Sequence, residues 1–145
     1  MSTATATKPS LIIKRRFNAA PPRVFAAFTE PQTIARWFGP PGVTKVEAES
    51  DLRVGGRYRI KAHMTNDTLE VGGAYREIVP NEKLVYTWAW KSTPERESIV
   101  TIALKPDGSG TLLTLTHEQF FDDEARDRHQ GGWNGALDKM EKYFA

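Results

Sequence analysis

Apolar residues recur along this chain with two different periods, and the changes between them divide it into three parts. Over about residues 21–38 the apolar positions return every three or four residues, which is typical of helices that bury one face. From Val43 to Gln119 they return every second residue, which indicates strands. The longer period comes back after Asp122. The pattern therefore predicts an α+β protein with one large sheet.

The first part predicts one strand followed by two short helices. The segment LIIKRRF (11–17) begins apolar and then alternates. Pro21 and Pro22 suit the first turn of a helix, because proline's φ is helical and no N–H is needed there. Pro31 breaks the pattern and marks a second start, and GPPG (39–42) ends it.

The central part predicts six consecutive antiparallel strands. RYRIKAHM (57–64) alternates with a regular period of two, so one face is buried and the other is exposed to water. The alternation slips near Glu77 and Ile78, which predicts a β-bulge. The composition of DGSG (107–110) is typical of a hairpin turn.

The last part predicts one long amphipathic helix that begins after Asp122, whose side chain can cap it. Its apolar stripe consists of His129, Trp133, Ala136, Met140 and Tyr143 or Phe144. The helix also contains Gly131, Gly132 and Gly135, each costing about 1 kcal/mol relative to alanine. We therefore expect a close approach, a kink or unfilled space at these glycines.

The order of these elements predicts how they pack. A sheet with one apolar face has to cover it, and only the last helix is long enough to do so. We expect a curved antiparallel sheet of six to seven strands wrapped around a long C-terminal helix, with two short helices after the first strand. An edge strand of such a sheet could support a homodimer.

Length and composition limit the class of protein. The 145 residues suffice for one domain, which we expect over residues 11–145 after a disordered lead-in at residues 1–10. There is no cysteine, so disulfides and thiolate metal sites are excluded, and a cytoplasmic location is expected. No apolar run is long enough to insert into a membrane, and the net charge of +2 does not favour nucleic acid as a partner.

Five stretches of the chain resemble the START-like (SRPBCC) superfamily, which has the helix-grip fold of the birch-pollen allergen. Within it, the chain resembles bacterial relatives of the C-terminal domain of the heat-shock-protein-90 ATPase activator. The stretches are RRFNAAPPRVFAAFTEPQTIARWFGP, DLRVGGRYR, GGAYREIVPNEKLVYTWAW, LTLTHEQF and RHQGGWNGALDKME. The resemblance implies a cavity between the sheet and the C-terminal helix, entered near the short helix pair.

The segment KLVYTWAW (83–90) places an aromatic row on the inner face of its strand, and this row could be either core or pocket wall. Buried tyrosine and tryptophan need hydrogen-bond partners, a demand that an aliphatic core would avoid. We predict a pocket that binds a hydrophobic or aromatic small molecule. Its predicted ligand-binding residues are Trp37, Tyr58, Ile60, Tyr75, Tyr86, Trp88, Trp90, His117, His129 and Trp133.

Two alternatives to a simple binding protein stay open. An enzyme of the cyclase or hydrolase type could use His117 or Glu77 as a proton carrier, although an inward histidine is as well explained as a hydrogen-bonded core residue. A chaperone-associated module of the stress response is implied only by the resemblance. The three histidines, including His63, show no metal-ligand spacing, and we expect no metal and no cofactor.

Overall fold

The computed structural model describes residues 8–145 and contains seven strands and three helices in the predicted order. In chain order they are β1 (Leu11–Phe17), α1 (Pro21–Thr29), α2 (Pro31–Trp37), β2 (Lys45–Ser50), β3 (Arg57–Met64), β4 (Asp67–Val79), β5 (Lys83–Trp90), β6 (Ser98–Asp107), β7 (Gly110–Glu118) and α3 (Asp123–Tyr143). Residues 1–7 of the predicted lead-in lie outside the described residues. Next to them, the Pro9 carbonyl oxygen accepts a hydrogen bond from the Phe120 N–H at 3.1 Å.

The seven strands form one antiparallel sheet in the order β1-β7-β6-β5-β4-β3-β2. The six consecutive strands pair as successive hairpins, and the two-residue turn after Asp107 joins β6 to β7 as predicted. The first strand pairs with the last, so that Leu11 lies opposite His117 and Phe17 opposite Thr111. The α+β helix-grip architecture predicted from the sequence is confirmed.

Helix α3 covers part of the inner face of the sheet. The Asp122 side chain caps its start by accepting a hydrogen bond from the Ala125 N–H at 2.8 Å. The buried face contains Trp133, Ala136, Leu137 and Met140, and Phe144 packs just beyond its end. Tyr143, the other residue considered for the stripe, is exposed. No helix within residues 8–145 is both long and apolar enough to cross a membrane.

The three helical glycines of α3 do not mark a close approach. A Cβ atom built on Gly131, Gly132 or Gly135 would meet no other atom within 4 Å, and all three residues are exposed. They lie on the side of the helix that faces water, so they leave no unfilled space against the sheet. The expectation of a close approach or of unfilled space at these glycines is wrong.

The pairing of β4 with β5 is irregular where the sequence predicts a bulge. The register shifts between Tyr75 and Glu77. At Ala74, the residue before Tyr75 in β4, the backbone N–H donates a hydrogen bond to the Thr87 hydroxyl at 2.8 Å instead of to a backbone carbonyl. A Cβ on Gly73 would clash with the Thr87 carbonyl oxygen, so glycine is required there by close approach. The pairing of the two strands is therefore irregular from Gly73 to Glu77, beside the inner aromatic residues.

Candidate functional site

A small cavity of about 20 Å³ lies between the short helix pair and the inner face of β3, β4 and β5. Its volume is about that of one enclosed water molecule. Its surface is almost wholly apolar, and six of its eight lining residues are aromatic. They are Phe28, Ile34, Trp37, Tyr58, Ile60, Tyr75, Tyr86 and Trp88.

Three tyrosines form one wall of this cavity. The ring of Tyr58 meets that of Tyr86 edge-on at 5.2 Å between centroids, and Tyr75 meets Tyr86 edge-on at 6.2 Å. The Tyr58 hydroxyl donates to the Thr87 carbonyl oxygen at 2.6 Å, and the Tyr75 hydroxyl pairs with Ser50 Oγ at 2.6 Å. Burial raises the pKa of all three phenols, so they remain protonated. The wall is therefore uncharged.

The opposite wall belongs to the segment at the end of α2. Trp37 donates its indole N–H to the Ala27 carbonyl oxygen at 2.7 Å and stacks on Trp133 of α3 with an interplanar angle of 29°. Phe38 packs against Trp88 at 6.4 Å between ring centroids. These contacts attach the helix pair to the sheet and to α3. Trp37 and Phe38 are both buried, and Trp37 lines the cavity.

A second cluster, which we call the indole–imidazole cluster, adjoins the cavity through Trp88. It consists of Trp88, Trp90, Trp133, His117 and His129. The Trp90 and Trp88 indole N–H groups donate to His129 Nε2 at 2.9 and 3.3 Å. The Trp133 indole N–H donates to His117 Nδ1 at 3.0 Å. Each imidazole thus accepts from at least one indole.

Because indole nitrogens only donate, these contacts fix both histidine tautomers. His129 carries its proton on Nδ1 and donates to the Ala125 carbonyl oxygen at 2.7 Å. His117 carries its proton on Nε2 and donates to Ser98 Oγ at 2.7 Å, and the Ser98 hydroxyl donates in turn to the Trp88 carbonyl oxygen at 3.2 Å. Every nitrogen of both rings is therefore occupied.

Burial, with a smaller contribution from the nearby His129, lowers the pKa of His117 to about 2. Burial also lowers the pKa of His129, with Arg128 acting in the same direction and the hydrogen bond to Ala125 opposing it. Protonation of either ring would in addition convert its acceptor nitrogen into a donor, which would then face the N–H of an indole. Both histidines are neutral structural residues, and neither has a lone pair free to act as a base.

Two arrangements that could suggest catalysis do not have the required geometry. Ser98 and His117 are in hydrogen-bond contact, but the imidazole donates to the serine instead of accepting its proton, and both residues are buried. No carboxylate orients His117, because its other nitrogen accepts from Trp133. Glu77, the other proton carrier considered, lies on the surface 3.3 Å from Lys83 Nζ.

The ten residues predicted from the sequence separate into these two adjacent groups. Six line the cavity, whereas Trp90, His117, His129 and Trp133 belong to the indole–imidazole cluster. We expected the cavity to lie between the sheet and α3, but no residue of α3 lines it. The space between the sheet and α3 is instead filled by the rings of Trp133, Trp88 and Phe120.

Two lining residues, Phe28 and Ile34, were missing from the predicted set. Both lie on the apolar faces of α1 and α2, so the helical period of the sequence contained a signal for them. That period alone could not tell which strands the helix pair covers.

Comparison with known proteins assigns the family. The family model described as Activator of Hsp90 ATPase homolog 1-like protein matches residues 18–145, which include every element from α1 onwards. The chain belongs to this family. No match is found among curated proteins.

Solved structures of bacterial proteins share this fold along nearly the whole chain. Protein CV1439 from Chromobacterium violaceum is 28% identical with a TM-score of 0.81, and the match covers 93% of this chain and 96% of that one. Protein Mll3558 from Rhizobium loti is 30% identical with a TM-score of 0.74, covering 92% and 95%. The AHSA1 (SPO3351) protein from Silicibacter pomeroyi is 26% identical with a TM-score of 0.79, covering 93% and 96%. Membership of the Hsp90-activator-like family supports a ligand-binding or activator-like module.

Proposed function

We propose that the protein binds a small aromatic or hydrophobic molecule in the aromatic-lined cavity, which widens when α2 and the turn after it move outwards. The observation that carries this proposal is the composition of the wall, in which six of eight residues are aromatic. Aliphatic residues would fill a core without bringing polar atoms that need partners. Apolar and aromatic walls with few polar groups are typical of small-molecule sites.

A ligand needs more room than the cavity now has, because about 20 Å³ holds no more than a water molecule. Helix α2 is the element best suited to give way, since it has only seven residues, begins at Pro31 and ends just before the turn at residues 39–42. Gly39 and Gly42, with φ values of +106° and +93°, lie on either side of Pro40 and Pro41, whose rings fix φ, so a change of backbone direction in this turn would fall on the two glycines.

Movement of α2 would withdraw Trp37 from its stack on Trp133. An aromatic ligand could then take the place of that indole, which explains why an aromatic molecule suits the site better than a flexible chain. One polar contact holds the turn closed, since Lys139 Nζ donates to the Gly39 carbonyl oxygen at 3.0 Å.

The proposal is tested by titrating the protein with acetophenone, isopropylbenzene and naphthalene, using calorimetry and the ligand-induced rise in melting temperature. In Ile60→Phe the larger ring occupies the cavity, and we expect binding to be lost while the domain stays folded. Ile12→Phe is the matched control, because Ile12 lies exposed on the outer face and the variant should bind like the wild type. Failure of all three compounds to bind the wild type would refute the proposal.

An activator-like role is the second candidate, and family membership is the observation that favours it. It predicts a complex with a heat-shock-protein-90 homologue at micromolar concentration and a change in its ATPase rate. If the full chain neither forms this complex nor changes the ATPase rate, the result contradicts this role. An enzymatic role has less support, because both imidazoles of the indole–imidazole cluster are fully hydrogen-bonded.

A further inference from the structure

Four of the five polar side-chain atoms in the cavity wall already have partners. The indole nitrogens of Trp37 and Trp88 donate to the Ala27 carbonyl oxygen and to His129. The Tyr58 hydroxyl is bonded to a backbone carbonyl, and the Tyr75 hydroxyl to a serine. Side chains with satisfied polar atoms present an effectively apolar surface to a ligand.

The fifth atom is the hydroxyl of Tyr86, which has no hydrogen-bond partner among residues 8–145. Tyr86 is only 6% exposed and lines the cavity from the middle of β5. Within residues 8–145, His63 Nε2 is the one fully buried polar side-chain atom without a partner, so the Tyr86 oxygen is not sealed off by protein atoms but reaches the cavity space. An acceptor placed in the cavity would take its hydrogen, a bond worth about 1 kcal/mol. A phenylalanine would fill the same space but offer no such bond.

The charge of the wall limits the ligand further. None of the eight lining residues is ionisable except the three tyrosines, whose pKa values are raised by burial. An ion brought into such a site loses its hydration and meets no opposite charge, which costs several kcal/mol. The site therefore disfavours carboxylates and ammonium groups alike.

Resting on the function proposed above, we propose that the Tyr86 hydroxyl is the polar anchor of the cavity and that its ligand is a neutral aromatic molecule with one hydrogen-bond acceptor, such as a carbonyl oxygen. The rings of the wall hold the aromatic part of the molecule. The acceptor oxygen lies at the hydroxyl and determines the orientation in which the ligand binds.

Three compounds of similar shape separate the parts of this inference. Acetophenone carries the acceptor, isopropylbenzene replaces it with carbon, and benzoate replaces it with a negative charge at pH 7.5. Their dissociation constants are measured by calorimetry on the wild type, on Tyr86→Phe and on Tyr75→Phe. Tyr75→Phe is the matched control, because it removes a wall hydroxyl that is already bonded to Ser50.

We expect the ratio of the acetophenone to the isopropylbenzene dissociation constant to rise about fivefold in Tyr86→Phe, as loss of one hydrogen bond predicts. Tyr75→Phe should keep the wild-type ratio, and benzoate should not bind. An unchanged ratio in Tyr86→Phe, with both neutral compounds still binding, would overturn the anchor but leave the proposed function standing. Benzoate binding as tightly as acetophenone would overturn the inference that the ligand is neutral. If naphthalene binds the wild type but acetophenone and isopropylbenzene do not, this inference fails and the proposed function stands. If none of the three neutral compounds binds, the proposed function fails and this inference with it.

Discussion

Acid should destabilise this protein well above the pH at which its carboxylates titrate, because two buried histidines are held neutral. The pKa of His117 is about 2 in the folded chain, whereas an unfolded histidine titrates near pH 6.5. Below pH 6.5 the unfolded chain therefore binds a proton that the folded chain does not. Stability is fully present above pH 6.5 and falls as the pH falls.

The expected loss can be worked out for His117 alone. Each pH unit below 6.5 costs about 1.4 kcal/mol, so lowering the pH from 7.5 to 5.0 removes about 2 kcal/mol. The pKa of His129 is lowered too, so this histidine adds a loss of the same sign. The total is a large fraction of the roughly 5–15 kcal/mol that usually stabilises a domain.

Urea unfolding at pH 7.5 and pH 5.0, followed by tryptophan fluorescence, measures this loss. Most carboxylates remain ionised at pH 5.0, so the histidines dominate the change. His117→Gln should be less stable at pH 7.5 but lose about 2 kcal/mol less than the wild type on acidification. Equal losses in the wild type and His117→Gln would refute the reasoning.

Four further substitutions test the packing by urea unfolding. Tyr86→Phe should leave the free energy of unfolding unchanged or raise it, because the hydroxyl that it removes has no partner. Tyr58→Phe should lower the free energy of unfolding by about 1 kcal/mol through loss of a hydrogen bond. Equal losses in the two variants would contradict this contrast between a free and a bonded hydroxyl. Gly135→Ala should raise the free energy of unfolding by about 1 kcal/mol, because the added Cβ meets open space. A decrease would mean that the helix requires glycine at this position. Gly73→Ala should lower the free energy of unfolding by about 3 kcal/mol or more through the clash with Thr87, and near-wild-type stability would show that the β4–β5 pairing shifts easily.

Much of the fold could be predicted because local periods determine it. The alternation of the strands, the slip near Glu77 and the cap at Asp122 each depend on neighbouring residues, and the structure has all three. The outward direction of Gly131 and Gly135 could also have been predicted. At about 100° per residue, both fall on the opposite side of the helix from Trp133.

The hydrogen-bond pairing inside the candidate site could not be predicted in the same way. The contact between Trp88 and His129 joins residues 41 positions apart, and no local period says which indole meets which imidazole. The position of the cavity depends on whether α2 or α3 lies over Tyr58 and Tyr86, which the packing of whole elements decides. A row of aromatic residues marks a buried face, but it does not say what covers that face.

The pairing of β1 with β7 affects how the chain can fold during synthesis. The two strands are about 100 residues apart, so the first strand has no partner until nearly the whole sheet has been translated. Helix α3 follows β7 and needs roughly 1–4 s more at usual rates of translation. During that time the tryptophans of β5 that α3 will cover are open to solvent in the nascent chain. The ribosome-bound intermediate therefore exposes apolar surface and an unpaired strand that the folded protein covers, and both features favour aggregation.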